Sequence, residues 1–216
     1  DHIDEHWEVL AILKTIGHST ETIRVIIYQF VTLVRAGKPV KMSTRRAEYV
    51  TLDELLDDVG PDVARFFFLS RKSDTHLEFD LELAKKESQE NPVFYVQYAH
   101  ARLTGIFRTA VEAGFTPEEI KKSRIDLGHP SAAVLAKKIL SFGDVLEGGL
   151  NDLEVTGILM YLRELAEAFH VYYTDVRVVE ATDRDGTLSR LKLCGVVQNI
   201  LKTVLATLGI QAPDRM

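Results

Sequence analysis

The sequence of 216 residues has one cysteine, Cys194, so no internal disulfide can form. Cys194 sits inside an apolar, periodic stretch, where a small core residue is expected rather than a nucleophile or metal ligand, and a reducing compartment suits it. No apolar run approaches the roughly 20 residues that span a bilayer. The opening Asp1-His2-Ile3-Asp4-Glu5-His6 lacks the basic-then-apolar order of a secretory leader, and a cytoplasmic location is expected. Neither sign of charge prevails: 27% of residues are charged and the net charge is −6, which excludes a disordered acidic tail and a uniformly basic coat. Internal repeats and low-complexity segments are not evident. An initiating methionine is also missing, and the chain opens almost inside a helical pattern, as expected of a piece excised from a longer protein. What is present is 46% hydrophobic content, enough to bury the core of one large domain or one and a half ordinary ones.

Helical spacing of Val9, Leu10, Ile12, Leu13 and Ile16 predicts a helix from Trp7 to Ile16, stopped by Gly17. Thr22 to Val34 is dense in β-branched and aromatic residues and reads as a buried strand, turned by Ala36-Gly37-Lys38-Pro39. A helix, an apolar strand and a loop resemble the close of an α/β sheet, where ligands sit outside the carboxyl ends of strands. Later stretches carry no convincing strand alternation. Thr51 with Glu54 forms a capping box for a helix ending near Gly60, and Pro61 can open the next. Further helices are expected over Leu81–Glu90, Pro92–Ala113, Pro130–Leu140, Leu153–Tyr173 and Thr187–Leu208. Gly148-Gly149, Asn151-Asp152 and Ala181 to Gly186 read as loops. The fold class is therefore mainly α: the end of a Rossmann-like α/β domain followed by an all-helical bundle, with a boundary between residues 80 and 92.

Lys41-Met42-Ser43-Thr44-Arg45, placed after the strand and its turn, looks like the KMSKS-type signature of class I aminoacyl-tRNA synthetases. The match runs on through Val50-Thr51-Leu52, Asp58-Val59-Gly60, Asp62 to Leu69, Arg71-Lys72-Ser73-Asp74 and Leu77-Glu78-Phe79-Asp80. It reaches Asn91-Pro92-Val93-Phe94-Tyr95-Val96-Gln97-Tyr98-Ala99-His100-Ala101-Arg102, a succession similar to arginyl-tRNA synthetases in particular. The resemblance implies an arginine–tRNA ligase that uses ATP with Mg2+, L-arginine and tRNA(Arg), with no membrane partner and a monomeric state expected. Residues 1–85 would close the catalytic domain and 86–216 form the anticodon-binding domain. In such a reaction negative charge gathers on the departing pyrophosphate, so cations on a loop lower the barrier. Lys41, Ser43 and Arg45 are the catalytic candidates. Thr44 stands where the family has a second lysine, and Arg45 is the expected partial substitute, although guanidinium and ammonium differ in reach and geometry. Met42, Asp1 and His2 are candidate lining of the ATP and amino acid pocket. Asp1, His2 and His6 lack a convergent ligand set, and no metal site is expected.

In the helix from Pro92, Phe94 and Tyr98 share one face, with Tyr95 and Arg102 expected near another. Tyrosines on two faces either pack the bundle or stack on unpaired bases, and for Tyr95 both readings stay open. In the helix from Leu153, the residues Leu159, Leu162, Leu165, Ala166 and Phe169 form the expected buried stripe, with Tyr161 and Arg163 displaced from it. Phe169-His170-Val171-Tyr172-Tyr173 with Arg177 resembles the family's Phe-His-x-Phe-Tyr string and the Arg-Val after it. The ending Leu208-Gly209-Ile210-Gln211-Ala212-Pro213-Asp214-Arg215-Met216 resembles the family's terminal Leu-Gly-Ile-x-Ala-Pro-x-x-Met, which implies that Met216 is the natural terminus and that the tail lies against the anticodon pocket. Tyr95, Tyr98, Arg102, Tyr173, Arg177 and Met216 are thus the candidate tRNA contacts, with the middle anticodon base, usually cytosine, as target. The rival reading is a non-catalytic helical adaptor in which Thr44 records lost activity.

Overall fold

A computed structural model of the protein describes residues 4–40 and 50–216. Helix α1, Glu5–Thr15, forms as its spacing predicts and stops before Gly17, whose φ is +91. None of its residues is buried. The expected buried strand over Thr22–Val34 is corrected: only β1, Val31–Arg35, is a strand, and Ile23, Val25, Ile26, Ile27, Tyr28 and Phe30 are exposed. A strand needs partners as well as propensity. Before Val31 the ladder continues only through Gln29 N–H to the Ser73 carbonyl at 2.8 Å and Leu77 N–H to the Phe30 carbonyl at 3.3 Å.

Ala36 and Gly37, with φ of 50 and 73, turn β1 back on the two-residue strand β2, Lys38–Pro39. Positive φ at both central residues is the hairpin signature that matches the strand twist. The strand β3, Leu77–Asp80, runs parallel to β1 with Val31 opposite Leu77 and Val34 opposite Asp80, and the sheet order is β2-β1-β3. This strand corrects the expectation that no strand follows residue 40. Its alternation is confined to two inward residues, Leu77 and Phe79, too short a signal to read alone.

Helix α2, Leu52–Val59, begins at the predicted box: the Glu54 amide donates to Thr51 Oγ1 and the Thr51 amide to Glu54 Oε2. α3, Pro61–Leu69, follows, with Pro61 in its first turn. Asp80 caps α4, Leu81–Ala84, which ends six residues before the expected Glu90. The Asn91 side-chain amide donates to the carbonyls of Ala84 and Lys86, holding the chain in a loop while Asn91 Oδ1 caps α5, Pro92–Glu112. An unexpected helix, α6, Pro117–Lys122, is held by a second capping box between Thr116 and Glu119.

α7, Pro130–Leu140, forms as predicted. α8, Phe142–Asp152, runs through the Gly148-Gly149 and Asn151-Asp152 pairs expected to be loop. Gly149 serves a close approach rather than a turn: a Cβ there would lie 2.9 Å from the Glu154 carbonyl oxygen. The reversal occurs at Leu153, with φ 55. α9, Thr156–Asp175, and α10, Arg184–Thr207, complete the bundle. One continuous apolar core runs from Leu33 and Phe79 of the sheet through Val96, Leu103, Leu162, Leu165 and Phe169 to Val197, Leu201 and Ile210. The predicted α9 stripe is buried, but Tyr161 joins it at 2% exposure, its ring 5.4 Å from that of Phe142. α8 packs on the side of α9 that would otherwise be open, which corrects the displaced position expected for Tyr161. No described helix is long and apolar enough to cross a membrane.

Candidate nucleic-acid interface

Four segments converge on one cleft of about 930 Å³: the middle of α5, the end of α9, the irregular exit after it, and the tail beyond α10. On α5, positions 98, 101, 102, 105 and 109 share a face by helical spacing. Ala101 and Gly105 are small, which leaves the space, while Tyr98 and Arg102 furnish its wall. The Tyr98 hydroxyl accepts from the Arg102 guanidinium one turn on.

The Arg102 guanidinium carbon lies 4.6 Å from the Tyr98 ring centre and 4.9 Å from that of Tyr173. The cation is thus held between two aromatic rings from different helices, within the range of cation–π attraction. Phe94 stacks behind Tyr98 at 6.2 Å with planes 10° apart. Behind Tyr173 lies the buried Phe169 ring, 6.0 Å away. Tyr173 remains 38% exposed, so one part of its ring is free to meet a ligand.

The tail is laid along α5 by specific hydrogen bonds. Gln97 Nε2 donates to the Gln211 carbonyl and to Asp62 Oδ2, each at 3.0 Å, and the Gln211 amide donates to the same Asp62 oxygen at 3.1 Å. His100 Nδ1 donates to the Pro213 carbonyl at 3.0 Å, and Thr104 Oγ1 donates to Asp214 at 3.3 Å. Ile210 is buried in the core, and Gly209, with φ 68, makes the turn that puts it there. A Cβ at Gly209 would meet Arg65 Nη1 at 3.0 Å. These contacts deliver Arg215 and Met216 to the cleft rim.

Five of the six candidate RNA contacts, Tyr98, Arg102, Tyr173, Arg177 and Met216, therefore line one cleft. Tyr95 does not: it is half-buried against the core, 5.0 Å from the His170 ring, and burial raises its phenol above the usual range. The expectation that Arg102 lies near Tyr95 is corrected, since Arg102 turns to Tyr98 at the i+4 spacing. Sequence reasoning missed Arg108 and Arg215. Arg108 carried a readable signal in its place on the cleft-facing side of α5, whereas Arg215 depends on where the tail docks. With Arg102 and Arg177 they set four arginines against Glu112 and Asp214 in the lining, so the cleft is cationic in a chain of net charge −6.

His170 supports the cleft from behind, its ring 5.8 Å from Tyr98 and 5.5 Å from Phe169. Burial, followed by the charge of Arg102, lowers its pKa to about 4, so it is neutral at neutral pH. Its Nε2 is buried without a partner. The catalytic candidates Lys41, Ser43 and Arg45, and the pocket candidates Met42, Asp1 and His2, lie outside the described residues. The described chain reaches that stretch at Val40, whose amide donates to the Leu33 carbonyl of β1 at 2.8 Å.

The chain is 44% identical to an arginine–tRNA ligase of Salinibacter ruber over 216 residues, covering all of this chain and 38% of the relative. It is 46% identical to an arginine–tRNA ligase of Citrifermentans bemidjiense over 206 residues, covering 95% of this chain and 37% of the relative. The chain thus spans about two fifths of the length of the curated relatives it matches. A crystal structure described as an arginyl-tRNA synthetase from Campylobacter jejuni superposes with a TM-score of 0.87 at 30% identity, covering 100% of this chain and 46% of that one. The Thermus thermophilus arginyl-tRNA synthetase shares the fold at a TM-score of 0.68 and 24% identity, over 86% of this chain and 34% of that one. Residues 96–216 match the DALR anticodon binding domain, and they contain the whole cleft; the chain belongs to that family.

Proposed function

We propose that the intact protein is an arginine–tRNA ligase acting on ATP with Mg2+, L-arginine and tRNA(Arg), and that this chain supplies its anticodon reader. Residues 1–85 close the catalytic domain in this reading and residues 86–216 form the anticodon-binding domain. The observation that carries it is the Arg102 guanidinium held between Tyr98 and Tyr173 in a cationic cleft that Arg177 and Met216 also line. An unstacked base offers a flat face to the exposed part of Tyr173, hydrogen-bonding edges to Arg102 and Arg177, and a phosphate to the remaining arginines. Single-stranded loops present such bases, whereas a paired helix does not. Tyr95 acts indirectly, by fixing His170 beneath Tyr98.

The test is binding of the intact protein to tRNA(Arg) and to the same RNA with its middle anticodon base changed. Wild type is expected to discriminate by roughly 10- to 100-fold, the scale of one well-read base. Tyr173→Ala and Arg102→Ala should each weaken tRNA(Arg) binding by about that factor, since stacking on one base is worth about 1–3 kcal/mol, and should erase the discrimination. A wild-type protein indifferent to the base change would instead support the adaptor reading.

Lys41, Ser43 and Arg45 form the cationic loop that meets the departing pyrophosphate in this proposal, with Met42, Asp1 and His2 lining the ATP and amino acid pocket. Charge that acts on the developing anion alters turnover more than ground-state affinity. Lys41→Ala should therefore lower arginine-dependent ATP–pyrophosphate exchange by about 100-fold or more with tRNA present. Unchanged exchange would remove the loop from the mechanism. The reading also carries a cytoplasmic, monomeric enzyme, which fractionation and sedimentation test directly.

A further inference from the structure

A second groove, of about 630 Å³, lies beside the cleft and shares Asp214 with it. α5, α10 and the segment from Phe115 to Lys121 form its sides, and its lining is apolar at Phe107, Val111, Phe115, Ile120 and Ile200. Gly195 of α10 contributes no side chain there; a Cβ would meet only the Phe107 ring, at 3.4 Å. Three lysines, Lys121, Lys192 and Lys202, stand around it against the single carboxylate Asp214. The Lys192 ammonium is engaged with the carbonyls of Lys121 and Ser123 at the end of α6. Lys121 and Lys202 are exposed, and their ammonium groups have no ion pair among the described residues.

An independent feature lies at the wall of the same groove. His100 is 1% exposed and lines it. A carbonyl only accepts, so the bond to Pro213 fixes the proton of the neutral ring on Nδ1 and leaves Nε2 a bare acceptor. That Nε2 is buried and has no partner. Buried acceptors are ordinarily satisfied, and an orphan beside an apolar groove ringed by free cations calls for a ligand with one N–H donor, a flat apolar body and a negative charge.

We propose that this groove is a second nucleotide site, which takes another base of the RNA whose anticodon base enters the cleft. The base lies against Phe107 and Ile200, donates an N–H to His100 Nε2, and places its phosphate between Lys121 and Lys202. This rests on the anticodon reading of the cleft, because the shared Asp214 makes the two depressions neighbours on one strand. An acidic peptide carries the same charge and has backbone N–H donors of its own, so RNA is favoured by the continuity of the groove with the cationic cleft through Asp214.

The test uses the intact protein, tRNA(Arg) and the RNA with the altered middle anticodon base, over a salt series. Gly195→Leu fills the groove without touching its charge, and the double variant Lys121→Gln with Lys202→Gln removes the charge without filling it. Both are expected to weaken the two RNAs by the same factor, about 10-fold or more, so that wild-type discrimination survives. The double variant should also lower the slope of log affinity against log salt by about 1.4, as two fewer counterions are released from a single strand, while Gly195→Leu leaves the slope unchanged. Discrimination intact in wild type, with both variants binding like wild type on an unaltered slope, would overturn the groove and spare the cleft. Loss of discrimination in wild type itself would overturn the cleft reading, and the groove with it. Should Gly195→Leu fail to fold, the double variant decides. RNA binding unaffected while affinity for a polyglutamate peptide falls would assign the groove to acidic peptides and overturn the proposal.

Discussion

His170 ties the cleft to pH. Its ordinary pKa is about 6.5 and in the folded protein it is about 4, because burial and the nearby Arg102 cation disfavour the imidazolium. Above pH 6.5 the ring is neutral whether folded or unfolded, and the fold has its full stability. As pH falls below 6.5 the unfolded chain takes up a proton that the folded one refuses, so stability declines until about pH 4, where both are protonated and the loss levels off. With its partial exposure discounted, the loss should be on the order of 2 kcal/mol. His170→Phe keeps a ring among Tyr95, Tyr98 and Phe169 but has no proton to take up. Urea unfolding at pH 7 and pH 4.5 should show a smaller pH-linked loss in the variant than in wild type; equal losses would contradict the low pKa. The same side chain marks a limit of sequence reading. The string around His170 does not reveal its partners Tyr95 and Tyr98, which come from α5, some 70 positions away. Tyr161 is misjudged for the same reason, since its burial depends on α8, whose glycine pair disguises a helix.

At the scale of elements, local caps made several helix starts legible, though the box of Thr116 and Glu119 that opens α6 went unread. α2, α5 and α7 begin where Thr51 with Glu54, Asn91 before Pro92 and His129 before Pro130 announce a start, because the cap satisfies amides that the helix itself leaves open. β3 was illegible, since its four residues form a strand only against β1, 46 positions earlier. The α8–α9 turn offers a paired test of this local physics. Leu153 holds φ 55 and ψ 37, a left-handed conformation that costs a non-glycine residue about 1–2 kcal/mol, and it is 45% exposed. Leu153→Gly should therefore raise unfolding stability by about 0.5–1 kcal/mol, after the greater freedom of glycine in the unfolded chain is subtracted. Gly149→Ala, four residues earlier, should lower it by roughly 1–3 kcal/mol, because its Cβ would press on the Glu154 backbone oxygen at 2.9 Å. Denaturation midpoints that move in the same direction for both variants would refute this account of the turn. The cleft shows the complementary limit. Resemblance pointed to Tyr98, Tyr173 and Met216, but helical spacing alone does not reveal that Arg102 lies between rings from two helices, and no local signal places Arg215.

Across the whole molecule the apolar residues divide unevenly. α5, α9 and α10 bury Val96, Leu103, Leu162, Leu165, Val197 and Leu201 completely, while α1 buries nothing. Trp7, Val9 and Ile12 on α1, Ile16 at its C-cap, and Ile23, Val25, Ile26, Tyr28 and Phe30 after it are all exposed, a concentration of apolar side chains of the kind that marks a contact surface. Local stability follows buried contact, so helices of the bundle open only with global unfolding and α1 opens almost freely. Hydrogen exchange on this chain should find amides of residues 5–30 exchanging at least about 1000-fold faster than those of Val197 to Leu201, a difference of some 4 kcal/mol in opening free energy. The relatives are more than twice as long as this chain, and in the proposed reading the intact protein has further polypeptide to cover that surface. Exchange over residues 5–30 is then expected to slow in the intact protein, while that of α10, already limited by its own core, changes little. Equal protection of α1 and α10 in the isolated chain would mean that the exposed apolar surface does not govern local stability here, and the division of the molecule into a self-sufficient bundle and a dependent amino-terminal segment would fail with it.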